Sequence, residues 1–198
     1  MHHVDRATPW EEIWQAMDQL VREGKVTYVG SSNFAAWDVA LAQCAASARH
    51  FTGLTSEQSL YNLAVRAVEL ELIPALRSLG VGLIPYSPLH LGRLAGLHET
   101  ATEGRISDDS TQQRIGAHRD QLEAYEGLCR ELGAKPVDVA LAWLLRNPVV
   151  STTIVGATTI EELQSDLGAL SMQLDTEVAE RLDQIWPGPG EAPQAYAW

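Results

Sequence analysis

Residues 24–34 read Gly-Lys-Val-Thr-Tyr-Val-Gly-Ser-Ser-Asn-Phe. A short apolar run, Val26 to Gly30, gives way to Ser31, Ser32 and Asn33, and then to an Ala-rich helical stretch over 35–48. A short apolar strand that ends in small polar residues and feeds a helix fits a parallel sheet covered by helices, where both strand faces are buried. The design recurs along the chain. Leu54 to Gln58 leads into Ser59-Leu60-Tyr61-Asn62, Val81 to Tyr86 into Ser87-Pro88-Leu89, and Ser151 to Val155 into Gly156-Ala157-Thr158-Thr159. Met1–Val4 reads as the end of one further strand.

Helical periodicity fills the intervals. Upstream, Thr8-Pro9-Trp10-Glu11 reads as a helix start with a capping box, Trp10, Ile13, Trp14, Met17, Leu20 and Val21 follow helical spacing, and Gly24 stops it. Residues 66–79 read as a helix in which Pro74 marks a late start or a kink. Helices are also expected over 119–132, 136–146, 159–168 and 175–186. The stretch 88–118 reads as a long variable loop, and 187–198, rich in Pro and Gly, as a loosely ordered tail. Alternating strands and helices place the chain in the α/β class. By pattern alone, a doubly wound sheet and a (β/α) barrel both stand.

Composition narrows the function classes. In 198 residues, 14 Lys+Arg stand against 26 Asp+Glu, a net charge of −12. That balance argues against nucleic acid or an acidic membrane as partner. No stretch approaches the ~20 apolar residues of a membrane span. The two cysteines, Cys44 and Cys129, lack metal-site spacing and read as reduced, partly buried thiols of a cytoplasmic protein. No metal site is expected. The first residues resemble neither a signal nor a transit peptide.

Four segments follow one another in register: Gly-Lys-Val-x-Tyr-Val-Gly-x-Ser-Asn-Phe (24–34), Glu-Gln-x-x-Tyr-Asn-Leu (57–63), Ile-Pro-Tyr-Ser-Pro-Leu (84–89) and Ile-Val-Gly-Ala (154–157). Their order and spacing resemble the aldo-keto reductase superfamily over about residues 1–186. The resemblance implies a (β/α)8 barrel of TIM type that binds NADPH, or NADH, at the carboxyl ends of its strands. It also implies that this chain is the second half of such a barrel, strands five to eight with their helices. The family's catalytic Tyr, its Lys partner and the Asp that orients the Lys sit on earlier strands, for which no counterpart is seen.

The resemblance assigns roles residue by residue. His2 matches the active-site histidine that polarises the substrate carbonyl, with His3 as the alternative one position along. Ser32, Asn33 and Gln58 match the residues that hold the nicotinamide carboxamide; Asn33 also reads as a helix cap. Tyr86 matches the aromatic that stacks on the nicotinamide ring. Ser87, Leu89 and Gly92 match the loop around the pyrophosphate, where His90 reads as a solvated side chain. Gly156, Ala157 and Thr158 match the approach to the adenosine phosphate at a helix start. Thr158 and Glu162 stand where the family commonly carries a cation or a neutral amide, and Asp166 where it commonly carries Asn. Carboxylates there repel a 2′-phosphate and suit a ribose 2′-hydroxyl, so a relaxed or NADH-leaning choice is expected in place of the family's usual NADPH preference. Lys25, Arg66 and Lys135 read as surface cations. Trp10, Trp14, Trp37, Trp143 and Trp186 read as packing residues, and Asn62 as structural. The arginines of segment 105–119 read as solvated charges.

The implied activity is NAD(P)H-dependent reduction of an aldehyde or ketone, with this chain carrying the cofactor-binding half. The alternative is a non-enzymatic remnant that serves as a binding or dimerisation module. The open edges of a half barrel are expected to drive self-association.

Overall fold

The computed structural model describes residues 1–96 and 118–197. Three strands pair in parallel in chain order: β1 (Val29–Ser32), β2 (Leu54–Leu60) and β3 (Gly82–Tyr86). Around them run α1 (Trp10–Arg22), α2 (Ala36–Ala48), α3 (Leu72–Leu79), α4 (Arg119–Glu131), α5 (Pro136–Leu145), α6 (Ile160–Gly168), α7 (Thr176–Ile185) and a short α8 (Gln194–Ala197). The architecture is α/β, as the alternation implies. Register aligns Ser32 with Gln58 and Leu60 with Tyr86, so the polar strand ends lie at one end of the sheet.

The helices follow from local chemistry. α1 ends in a Schellman motif: Gly24 turns left-handed, its N–H reaches the Val21 carbonyl, and the Lys25 N–H reaches that of Leu20. Pro74 sits in the first turn of α3, which begins at Leu72, so the proline marks a late start. α5 is buried on nearly every side through Val139–Leu144, whereas α1 buries Trp14 alone and anchors its indole N–H on the Ala42 carbonyl at 2.8 Å.

Several expectations are corrected. The strand expected at 151–155, which would be the eighth of a barrel, does not form as a named strand. The chain instead crosses β3 through a single parallel bridge, Leu83 with Val150, and further bonds to the Leu83 and Pro85 carbonyls. The cause lies on the neighbour. Pro85 has no N–H to return, so pairing beyond it is one-sided: both the Ile154 N–H and the Thr153 hydroxyl donate to its carbonyl. Residues 1–4 form no strand either; the Met1 amino group donates to the Gly30 carbonyl. The capping box at Thr8 is also absent. Asp5 takes the Thr8 hydroxyl and the Ala7 N–H into a local turn, and α1 starts one residue later than expected, without a side-chain cap.

Arg66 is no surface cation. Its largely buried guanidinium pairs with Glu69 and Asp183 and lies over the Trp143 ring. Trp37 is half exposed, beneath Arg6, rather than packed in the core. The tail is docked, with the Ala192 N–H on the Leu70 carbonyl and Glu191 on Arg77. Cys44 is exposed, while Cys129 is buried and its thiol is pushed up to about 11 by burial. Most of the expected variable loop, including Arg105 and Arg114, lies outside the described residues.

Candidate functional site at the carboxyl ends of the strands

Three adjacent parallel strands end side by side, which brings Ser32, Asn33, Gln58, Tyr86 and Ser87 together. The Asn33 N–H donates to the Gln58 carbonyl at 2.9 Å, continuing the β1–β2 ladder one residue past β1. Asn33 then turns left-handed at φ 60°, a conformation asparagine tolerates better than most residues. Its amide nitrogen donates to Ser32 Oγ at 3.0 Å, and its Oδ1 accepts the Tyr86 hydroxyl at 3.0 Å. Asn33 therefore does not cap α2; that helix begins beyond Ala35, whose N–H is held by Asp38 at 3.4 Å.

The loop after β3 carries unusual backbone. Ser87, His90 and Leu91 all have positive φ, followed by Gly92 at 90°. Non-glycine residues in this region store strain that the surroundings must hold, and such segments cluster at functional sites. Here the holding group is Asn62, fully buried: its Nδ2 donates to the Ser87 carbonyl at 2.9 Å, and its Oδ1 accepts the N–H groups of Ala64 and Val65. The structural reading of Asn62 thus stands. A pocket of about 330 Å³ opens beside this loop, lined by Leu60, Tyr86, Ser87, His90, Arg93 and His118 among others. Leu89 packs against the core and its carbonyl accepts from Gly92 and Leu94.

Gly156, Ala157, Thr158, Glu162 and Asp166 belong to a second patch at the start of α6. It joins the first through the bond from Ile154 N–H to the carbonyl of Pro85, one residue before Tyr86. Thr159 caps α6. The Glu162 carboxylate turns back onto Thr158, accepting from its N–H at 2.6 Å and its hydroxyl at 2.9 Å, and from the Thr159 N–H at 3.3 Å. These bonds hold the Glu162 carboxyl below its ordinary value. The Thr158 N–H and hydroxyl and the Thr159 N–H are thus already satisfied by an internal anion. Asp166 is shifted upward, by burial first and then by its acidic neighbours Glu162 and Asp138.

His2 is exposed, its ring 4.1 Å from that of His3, and no hydrogen bond ties it to Asn33, Gln58 or Tyr86. Residue-by-residue reading of the sequence passed over Glu57, buried behind Asn33, and Arg93, whose Nη1 lies 2.7 Å from His90 Nε2. The signal for both was a charged residue inside an otherwise apolar or small-residue stretch. His90 is correspondingly engaged rather than simply solvated.

The Aldo/keto reductase family model matches residues 1–187. The chain belongs to that family. Among its relatives within the aldo/keto reductases and their kin, it is 47% identical over 199 residues to an uncharacterized oxidoreductase of Bacillus subtilis, covering 100% of this chain and 61% of that protein. It is 30% identical to versiconal hemiacetal acetate reductase of Aspergillus parasiticus, covering 93% of this chain and 55% of that protein. It is also 32% identical to a probable voltage-gated potassium channel subunit beta of Arabidopsis thaliana, covering 98% and 63%. The aldo/keto reductase chain thus spans between half and two thirds of the length of these relatives. Among its described residues no helix is long and apolar enough to cross a membrane.

Proposed function

We propose that this chain supplies the nicotinamide-binding part of a (β/α)8-type, cytoplasmic NAD(P)H-dependent oxidoreductase acting on aldehyde or ketone carbonyls, with β1–β3 in the places of the fifth to seventh barrel strands. The observation that carries the reading is the convergence of Ser32, Asn33, Gln58 and the Tyr86 ring at the ends of three neighbouring strands. The donors and acceptors there suit a carboxamide, which needs both. A bound nicotinamide cofactor supplies the hydride. The chain's own residues orient it: the Tyr86 ring offers a flat face, and the amide and hydroxyl groups of Ser32, Asn33 and Gln58 fix the ring's rotation. The strained loop from Ser87 to Gly92, with small residues at both ends, suits a pyrophosphate, and His2 remains the candidate to polarise the carbonyl.

Proton supply is a separate matter. The acid that completes carbonyl reduction needs a pKa near working pH. Tyr61, bonded to Glu69, and Tyr125 are both buried, and burial pushes their phenols upward, away from that range. Tyr28 and Tyr196 are exposed, and Tyr86 is spent on Asn33. None of the five tyrosines suits the role, which supports a chain that binds cofactor without turning it over.

Fluorescence titration of the full chain with NADH and NADPH tests the reading. Saturable binding is expected, weakened about tenfold by Tyr86→Ala, with no oxidation of NAD(P)H in the presence of an aldehyde. Absence of saturable binding of either cofactor sinks it. A second element rests on a different observation. Ile160, Leu163, Leu167 and Leu170 make an apolar stripe along α6 and the turn after it, each 45–70% exposed. That stripe supports self-association.

A further inference from the structure

We propose that Glu57 is the positioning residue that holds the Asn33 turn in its binding shape, an inference that rests on the cofactor reading above. Glu57 sits in the middle of β2, opposite Ser31 of β1, with its side chain fully buried. Three donors converge on its two carboxylate oxygens. Ser31 Oγ donates to Oε2, Ser59 Oγ donates to Oε1 at 2.7 Å, and the Phe34 N–H donates to Oε1 at 3.1 Å. Both serines are themselves buried.

The Phe34 bond decides the role. The β1–β2 ladder ends with the Asn33 N–H on the Gln58 carbonyl. Once Asn33 turns left-handed, the next N–H points away from the ladder, into a site where Phe34 is buried against the Trp10 ring. A buried N–H without an acceptor costs as much as a lost hydrogen bond or more. Glu57 Oε1 is the acceptor. The left-handed turn exists because a side chain on the neighbouring strand takes the N–H that the turn strands. The turn in turn points the Asn33 amide toward Ser32 and Tyr86, the geometry proposed to receive a carboxamide. Glu57 touches none of these groups itself; it acts through Phe34 and Ser31.

The test compares Glu57→Leu with Glu57→Gln in the full chain. Gln retains a carbonyl oxygen for the Phe34 N–H and Ser59, and its amide donates to Ser31 Oγ, which accepts as well as donates. Leu offers no acceptor. Two halves of the cofactor serve as probes: reduced nicotinamide mononucleotide and ADP-ribose. Glu57→Leu is expected to weaken the mononucleotide about tenfold or more while leaving ADP-ribose unchanged, and Glu57→Gln is expected to stay near wild type. The positive φ of Asn33, read from an intense intraresidue HN–Hα NOE, is expected in wild type and Glu57→Gln and absent in Glu57→Leu. Should Glu57→Leu not fold, Glu57→Asp takes its place: one methylene shorter, it keeps a buried acceptor for the serines, withdraws from Phe34, and loses the same two signals. The proposal is overturned if Asn33 keeps its positive φ without the Glu57 acceptor, if mononucleotide binding is unaffected, or if both probes weaken in parallel. Wild-type chain that binds neither probe overturns the cofactor reading instead, and the Asn33 φ then judges Glu57 alone.

Discussion

Glu162 shows how much one side chain decides at the patch proposed for the adenosine phosphate. Its carboxylate occupies the N–H groups of Thr158 and Thr159 just before α6, donors that the proposed reading assigns to a phosphate. Replacing it with Ala removes an anion and frees those donors, so NADPH affinity should rise relative to NADH by about fivefold to tenfold. Paired Kd measurements on wild type and Glu162→Ala check this; an unchanged ratio refutes it. The same contact carries a pH dependence. Accepting from Thr158 and Thr159 lowers the folded-state pKa of Glu162 below the 4.5 of the free side chain. A depressed carboxylate contributes stability above the unfolded value and loses it as pH falls through the folded one. The protection of the Thr158 and Thr159 amides, measured as exchange relative to its intrinsic rate at each pH, should therefore fall as pH drops below 4.5, and Glu162→Ala should abolish that change. The positions of Ser32, Asn33, Gln58 and Tyr86 at neighbouring strand ends were legible in the sequence as polar or aromatic ends of apolar runs, while the roles proposed for them come from the family resemblance. Glu57 showed only as a charge in a small-residue stretch; two of its three donors, Ser31 Oγ and the Phe34 N–H, come from the segment around β1, which no local pattern reports.

The elements show where pattern and structure part. Helix periodicity located α1, α2 and α4 to α7 to within a few residues, but α3 begins at Leu72 rather than at 66, and β1 begins at Val29, three residues after the start of the apolar run read as a strand. The run at 151–155 carries the same pattern and yet forms no strand, since its pairing partner Pro85 cannot donate. Strand formation is a property of two segments, and the second was twelve or more residues away in the chain. Close approach between these segments rests on Gly82. A Cβ there would fall 2.2 Å from Ser151 Oγ and 3.3 Å from Ser151 Cβ. The hydroxyl can rotate aside, so Gly82→Ala should cost under ~1 kcal/mol. Gly82→Val should cost about 1–3 kcal/mol, because its branched side chain crowds the Ser151 Cβ as well. Urea denaturation measures both. Adding Ser151→Ala to Gly82→Val should recover part of the loss, and strict additivity would place the strain elsewhere.

At the scale of the whole molecule, two apolar surfaces lie at opposite ends of the chain's order. One is the stripe Ile160, Leu163, Leu167 and Leu170 on α6 and the turn beyond it. The other is a groove of about 410 Å³ between the first residues and α1, lined by Met1, Val4, Trp10, Ile13, Met17 and Phe34 with polar residues at its rim. Contiguous apolar patches of this kind mark interaction sites in folded chains. In addition, β1 is an edge strand, one side of it facing β2 and the other meeting only the Met1 amino group in the described residues. We propose that each copy offers its stripe to the partner's groove about a twofold axis, a closed arrangement rather than a growing one. The expected outcome is a concentration-dependent dimer in sedimentation velocity at about 10–100 μM. Leu163→Glu with Leu167→Glu places two carboxylates in the stripe without touching the core, so it should shift the chain to monomer while far-ultraviolet circular dichroism stays the same. A wild-type chain that sediments as a monomer throughout that range refutes the assembly. Binding of reduced nicotinamide mononucleotide should persist in the monomeric variant, because Asn33, Gln58 and Tyr86 lie at or just past the ends of one copy's three strands and none of them is on α6.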